Sequence, residues 1–278
     1  MLMHGIDGPV IIGASAAHTE NATMGTVQVH PHDDTPRTRR REEQVRPLYA
    51  ATLAALGPEP GTRLLHVGCG TGTALALGAF TGAELSGLDP AADLLAIARD
   101  RLPDADLRAA EITELPYDRG CFDQVMAFDA IQYAESPAMA VAELARVTRP
   151  GGIVAIGLWH NWAGREASAF LSAVRGRVPA PPADAQPVHD LYRLREVMVE
   201  AGLDVFTNAE VSHRHDFDSL DVAWEAMTTS PNVARTIEIM GVEAAHEIFI
   251  ANFATMQRVD GSIQQEHLFQ YALGRATS

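Results

Sequence analysis

Leu64-Leu65-His66-Val67-Gly68-Cys69-Gly70-Thr71-Gly72-Thr73-Ala74-Leu75 joins an apolar run to three alternate glycines and then to an Ala/Leu-rich helical pattern. The order reads as a buried strand, a tight turn and the first turn of a helix. Glycines at this turn let the backbone approach a ligand without Cβ clashes, and the helix start adds unpaired N–H groups. A dinucleotide-binding loop would read G-x-G-x-x-G, but Thr73 occupies the place of its third glycine. The spacing therefore argues against nicotinamide redox chemistry.

Further segments follow in order. Glu84 to Leu88 reads as a second strand that ends in Asp89-Pro90. A carboxylate there suits a ribose, because it accepts hydrogen bonds from two adjacent hydroxyls. Asp106 to Tyr117 holds Glu111-Ile112 and Leu115-Pro116-Tyr117, Cys121 to Ala127 reads as a fourth strand, and Ala142 to Gly152 runs AELARVTRPGG.

Together these stretches resemble the class I S-adenosylmethionine (SAM) dependent methyltransferases, over about residues 45–215. The resemblance implies SAM as cofactor, S-adenosylhomocysteine as product, and a cofactor site built from His66, Gly68, Cys69, Gly70, Gly72, Asp89, Pro90, Glu111, Ile112 and Phe128. Within it, Glu111 meets the adenine amino group. The chain departs from the family at His66, where many members carry Asp or Glu to anchor the methionine amino group. Histidine supplies no fixed negative charge. One reading is a tolerated substitution with rearranged contacts; the other is a fold that has kept its cofactor and lost catalysis.

The expected fold is α/β, a doubly wound, mostly parallel, seven-stranded Rossmann-like sheet. Strands fall near 63–67, 84–88, 105–109, 122–127 and 152–158, with helices near 73–80, 91–101 and 137–147. An amphipathic helix from His189 to Ala201, stopped by Gly202, leads to a sixth strand from Leu203 to Val211. Helices over 219–229 and 232–258 precede a seventh strand from Ser262 to Leu273, which the family inserts antiparallel between the fifth and sixth. Residues 1–36 read as a flexible tail, and 37–278 as one domain with its cofactor core near 60–160 and substrate-side insertions near 161–190 and 216–258.

Composition narrows the function classes. The 36 acidic residues against 21 basic ones give a net charge of −15, which argues against nucleic-acid and anionic-membrane partners. Every basic residue is arginine, so Schiff-base and P-loop lysine chemistry are excluded. Cys69 and Cys121 fit a reducing compartment, each as a small packed residue. No apolar run reaches the roughly 18 residues of a spanning helix, and the start shows no secretory pattern. The expectation is a cytoplasmic protein with a small-molecule substrate; oligomeric state is left open.

Methyl transfer from a sulfonium needs alignment and dryness more than a dedicated motif, with a base only where the acceptor must lose a proton. Acceptor-facing candidates follow the fourth and fifth strands: Gln132 and Tyr133, then His160 as general base, with His189 as second choice. Trp159, Trp162, Trp224, Phe249 and Phe253 are candidates for a hydrophobic pocket, and Tyr49 for closing it from the first helix. Arg37 to Arg46 reads as a solvent face with Glu42 and Glu43 as local partners. No metal site is expected. His30-Pro31-His32-Asp33-Asp34 reads as solvated tail, and His213 and His215 as an exposed strand end without a third ligand. An aminopropyl transferase of the same fold would need an acidic amine pocket, for which Asp129 stands alone.

Overall fold

The structure is a computed structural model that describes residues 36–131, 134, 136–163, 188, 190–228 and 231–277. At 36–41, 160–163, 231, 232 and 234–236 the description is of the backbone. The expected tail, Gln132, Tyr133, His189 and the insertion over 164–187 lie outside the described residues.

Helix α1 (Pro36–Leu56) leads into β1 (Arg63–Val67), α2 (Thr73–Ala79), β2 (Glu84–Leu88), α3 (Ala92–Arg101), β3 (Asp106–Arg108), β4 (Phe122–Phe128), α4 (Pro137–Val147) and β5 (Thr148–Ala163). Then come α5 (Leu191–Glu200), β6 (Leu203–Phe217), α6 (Leu220–Met227), α7 (Pro231–Met240), α8 (Val242–Phe253) and β7 (Ile263–Ala276). The seven strands form one sheet in the order β3-β2-β1-β4-β5-β7-β6. The first five run parallel, and β7 pairs antiparallel with both β5 and β6. The expected inserted strand is therefore observed.

Side-chain alternation divides the core between the two faces of the sheet. Leu65, Val67, Val125, Ala127, Val154 and Ile156 meet α4 and α5 on one face. Leu64, Met126, Phe128 and Ala155 meet α1, α2 and α3 on the other. Because both faces are covered, the central strands read as unbroken apolar runs in the sequence. Helix starts are set by side chains: Ser136 accepts from the Met139 amide at 3.3 Å, and Asp190 from the Arg193 amide at 2.8 Å.

Three expectations need correcting. The single helix over 232–258 is two, because Gly241 adopts φ 86° between α7 and α8, and a short 3-10 turn (Ala254–Met256) follows. The last strands run longer than read, with β5 reaching Ala163 and β6 reaching Phe217. His213 and His215 consequently sit inside β6, half-buried, and do not form an exposed end. A third cluster, centred on Phe217, Phe249, Phe253 and Ile263, joins α6–α8 to these extensions and packs against Trp159.

Asp123 ties the opposite end of the sheet together. Its carboxylate accepts from the Arg63 amide at 2.9 Å, the Arg63 guanidinium at 3.0 Å and the Arg149 guanidinium at 2.6 Å. Hydrogen bonding from Arg63 is the largest cause holding this carboxyl far below its ordinary range. Its contribution is fully present above the unfolded carboxyl value of about 3.9 and is lost as pH falls through the depressed folded value. In urea titrations from pH 6 to pH 2, Asp123→Asn should be less stable than the wild type near neutrality and lose less stability on acidification. Partly exposed arginines make the effect modest and weaker at high salt.

Candidate functional site

The loop between β1 and α2 turns through three left-handed glycines, with φ 75° at Gly68, 53° at Gly70 and 80° at Gly72. The Gly68 and Cys69 amides both donate to the Leu88 carbonyl, at 2.7 and 2.9 Å, pinning the loop to the end of β2. A Cβ on Gly68 would lie 2.8 Å from the Ala130 Cβ, so the loop touches the chain leaving β4. At Gly70 the nearest atom would be Leu94 Cδ1 at 4.0 Å, which leaves an open cradle above the loop. Burial pushes the Cys69 thiol up to about 12, so it is a packed, unreactive residue.

Asp89 faces that cradle. Its carboxylate is buried and accepts from the Gly70 amide at 2.8 Å and the Ala91 amide at 2.9 Å. These two amides fix its orientation, and an ionised carboxylate has acceptor capacity for hydroxyl donors besides. Ile112 packs against the neighbouring core, and Glu111 is exposed beyond β3.

The Leu115-Pro116-Tyr117 and Glu143/Arg146 motifs explain each other. Glu143 and Arg146, one turn apart on α4, pair at 2.6 Å. Glu143 accepts from the Leu115 amide at 2.8 Å, while Arg146 donates to the Leu115 and Tyr117 carbonyls at 3.0 and 2.8 Å. Both motifs hold backbone in place.

Helix α1 is fastened over the glycine loop. Glu42 accepts from the Thr71 hydroxyl and pairs with Arg101 at 3.4 Å; Arg101 also donates to the Thr71 carbonyl at 3.1 Å and to Thr73. Glu42 is thus a long-range tether to the glycine loop. Further along α1, the Tyr49 ring lies 4.8 Å from Phe128, and Phe128 lies 5.3 Å from His66. His66 is 2% exposed and neither ring nitrogen has a hydrogen-bond partner. Burial pushes its imidazole down to about 3, so the position is neutral.

At the end of β4, Asp129 takes φ 52°. Its amide donates to the Gly157 carbonyl at 3.0 Å, and its carboxylate accepts from the Trp159 amide at 2.7 Å, binding β4 to β5. Asp129→Ala should cost about 2–4 kcal/mol, the sum of a charge-assisted bond and a left-handed backbone penalty. Asp129→Asn should recover most of it, since asparagine keeps an oxygen acceptor and tolerates this backbone; urea denaturation of the two variants checks this.

Beyond Asp129, Trp159 packs 5.1 Å from His267 and 5.5 Å from Phe269. His215 lies 6.2 Å from His267 and 4.6 Å from Phe217, and His213 is paired across the ladder with His267. Burial, with His215 and His213 adding, pushes His267 down to about 3. Among the described residues no group of three such side chains could hold a metal. His267 and Gln265 were missed in the sequence. Their signal was the alternation Ile263, Gln265, His267, Phe269, every member of which is buried. His160 occupies the register shift of β5 between Trp159 and Asn161, and only its backbone is described. Phe249 and Phe253 lie in the core under α6–α8, whereas Trp224 lines an acidic cleft of about 440 Å³ with Asp221, Glu225 and Glu243.

Comparison with known proteins bears on this arrangement. Residues 65–156 match the methyltransferase domain family Methyltransf_11. The chain is 36% identical over 109 residues to a demethylmenaquinone methyltransferase of Renibacterium salmoninarum, covering 39% of this chain and 46% of that protein. It is 31% identical over 139 residues to a ubiquinone biosynthesis O-methyltransferase of Paracidovorax citrulli, covering 48% and 57%. The chain thus spans about half the length of the curated relatives it matches. The crystal structure of BH2331 from Bacillus halodurans superposes with a TM-score of 0.58 at 14% identity, over 83% of this chain and 99% of that one. Residues 65–156, which carry the glycine loop and Asp89, are thus similar in sequence to methyltransferase domains, and the sheet with its inserted β7 shares the fold of BH2331.

Proposed function

We propose that the chain binds SAM and methylates a small, largely apolar or aromatic metabolite, preferentially at a hydroxyl oxygen, in bacterial specialised metabolism. One observation carries the cofactor reading: the buried Asp89 carboxylate, aimed by the Gly70 and Ala91 amides, borders a glycine cradle with room above Gly70. Those residues fit a nucleoside, with Asp89 holding the ribose hydroxyls, Glu111 and Ile112 the adenine, and the loop backbone the amino-acid end. Bound SAM supplies the activated methyl group. The chain's part is to orient the two reactants and exclude water, for which α1, tethered by Glu42, closes one side. Where the acceptor is a hydroxyl, a base is required. His160, Gln132 and Tyr133 are the proposed acceptor-side residues.

The acidic chain argues for a small-molecule substrate and against nucleic acid. Among the described residues no helix is long and apolar enough to cross a membrane, and Cys69 and Cys121 are free thiols. A cytoplasmic location belongs to the same proposal. Calorimetric titration with S-adenosylhomocysteine tests it: micromolar binding supports the reading, and absence of heat at millimolar ligand sinks it.

The neutral, buried His66 favours one alternative, a cofactor-binding protein without turnover. That reading predicts normal S-adenosylhomocysteine binding with no methyl transferred to a panel of phenols, naphthols and carboxylic acids. The aminopropyl reading would rest on Asp129, whose Oδ1 already accepts from the Trp159 amide.

A further inference from the structure

The polar residues on the inner face of β5, β7 and β6 form a group that the cofactor site does not use. Gln265 is 1% exposed and its Nε2 has no hydrogen-bond partner, and the buried Trp159 Nε1 has none either. A buried donor left without an acceptor is costly and uncommon, so two on one face ask for a ligand. They share that face with His267, by strand alternation and by the 5.1 Å contact between the Trp159 and His267 rings.

Their surroundings define what they would hold. Trp159 packs against both the cluster under α1 and the cluster under α6–α8, so the polar group lies between two apolar walls. Phe217 and Phe269 flank it in β6 and β7. The charged residues of the same strands, Glu210, Arg214, Asp216 and Glu266, are exposed and alternate onto the opposite face. No formal charge is thus brought to the donors by these strands. A buried carboxylate or phosphate would lack a counter-charge, whereas a neutral oxygen would be satisfied by two N–H groups. The group is also continuous with the cofactor loop, through the Gly68–Ala130 contact and the bond from the Trp159 amide to Asp129.

We propose that this face is the acceptor-recognition site, with Trp159 Nε1 and Gln265 Nε2 donating to a carbonyl or hydroxyl oxygen on an uncharged aromatic ring system. The assignment rests on the methyl-transfer reading for the word acceptor, but the binding it describes is independent of the cofactor. The ring lies against Trp159 and the phenylalanines, and the two donors choose oxygenated rings over plain hydrocarbons.

Equilibrium dialysis of the full chain with 2-naphthol and with naphthalene tests this. The wild type should hold 2-naphthol at least about tenfold more tightly, and Gln265→Leu and Trp159→Phe should each cut that preference by roughly fivefold to tenfold. Circular dichroism and urea denaturation of each variant show whether it is folded. If Gln265→Leu is not, Trp159→Phe, which keeps an aromatic ring and removes the N–H, decides alone. Equal binding of the two probes by the wild type, or a preference unchanged in the folded variants, overturns the proposal. A naphthol preference without S-adenosylhomocysteine binding would support this site and sink the methyltransferase reading instead.

Discussion

Asp89→Ala should weaken S-adenosylhomocysteine binding by about a hundredfold or more. The estimate follows from two ribose hydroxyls on an ionised acceptor, at about 1.5 kcal/mol or more each. The substitution also removes the acceptor from the Gly70 and Ala91 amides, so the loop loses the contact that orients it. Asp89→Asn retains one carbonyl acceptor and should lose about tenfold. Calorimetry on the three proteins gives the ranking directly. An Asp89→Ala protein with undiminished affinity would show that this carboxylate serves the loop and not the nucleoside.

The second large effect separates fold from site within the same loop. Gly68→Ala must place a Cβ 2.8 Å from Ala130 at φ 75°, combining left-handed strain with overpacking. A loss of about 2–4 kcal/mol in stability follows. Gly70→Ala meets only the backbone term, about 1–2 kcal/mol, because nothing lies nearer than 4.0 Å. Its methyl group instead fills the cradle, so its S-adenosylhomocysteine affinity should fall further than its stability does. Urea midpoints set beside calorimetric affinities distinguish the two. Equal stability losses with equal affinities would remove the cradle from the argument.

The parallel half of the sheet was legible because its signals are local. Arg63 to Val67 and Glu84 to Leu88 are short, and glycine or Asp-Pro ends each of them, so their ranges agree with the structure residue for residue. The antiparallel half was less so. His213 is opposite His267 only because β7 is inserted and paired in one register, a relation that neither segment carries in its own residues. Glu42 is a similar case. Its arginine neighbours in sequence suggested a local partner, while its observed partner is Arg101, across the glycine loop. At Gly241 a signal was present, since glycine inside a helical pattern marks a break, and the long apolar pattern of 232–258 overrode it. Of the acceptor-side candidates, His160, Gln132 and Tyr133 were chosen from position after a strand. The unpartnered donors of Trp159 and Gln265 are visible only when partners are assigned in space.

The position of β7 also sets the order in which the molecule can be assembled. Ile263–Ala276 follows β6 in sequence yet lies between β5 and β6, and it supplies hydrogen bonds to both. As synthesis proceeds from the N-terminus, β1 to β5 can pair as soon as they emerge, but β6 has no neighbour until β7 arrives. Until then β5 and both sides of β6 are unpaired strand edges, where the finished sheet leaves only the outer sides of β3 and β6, and each can join another chain. The sheet is completed only when β7 enters between β5 and β6, a keystone whose arrival after β6 governs how long the unfinished protein is exposed to aggregation.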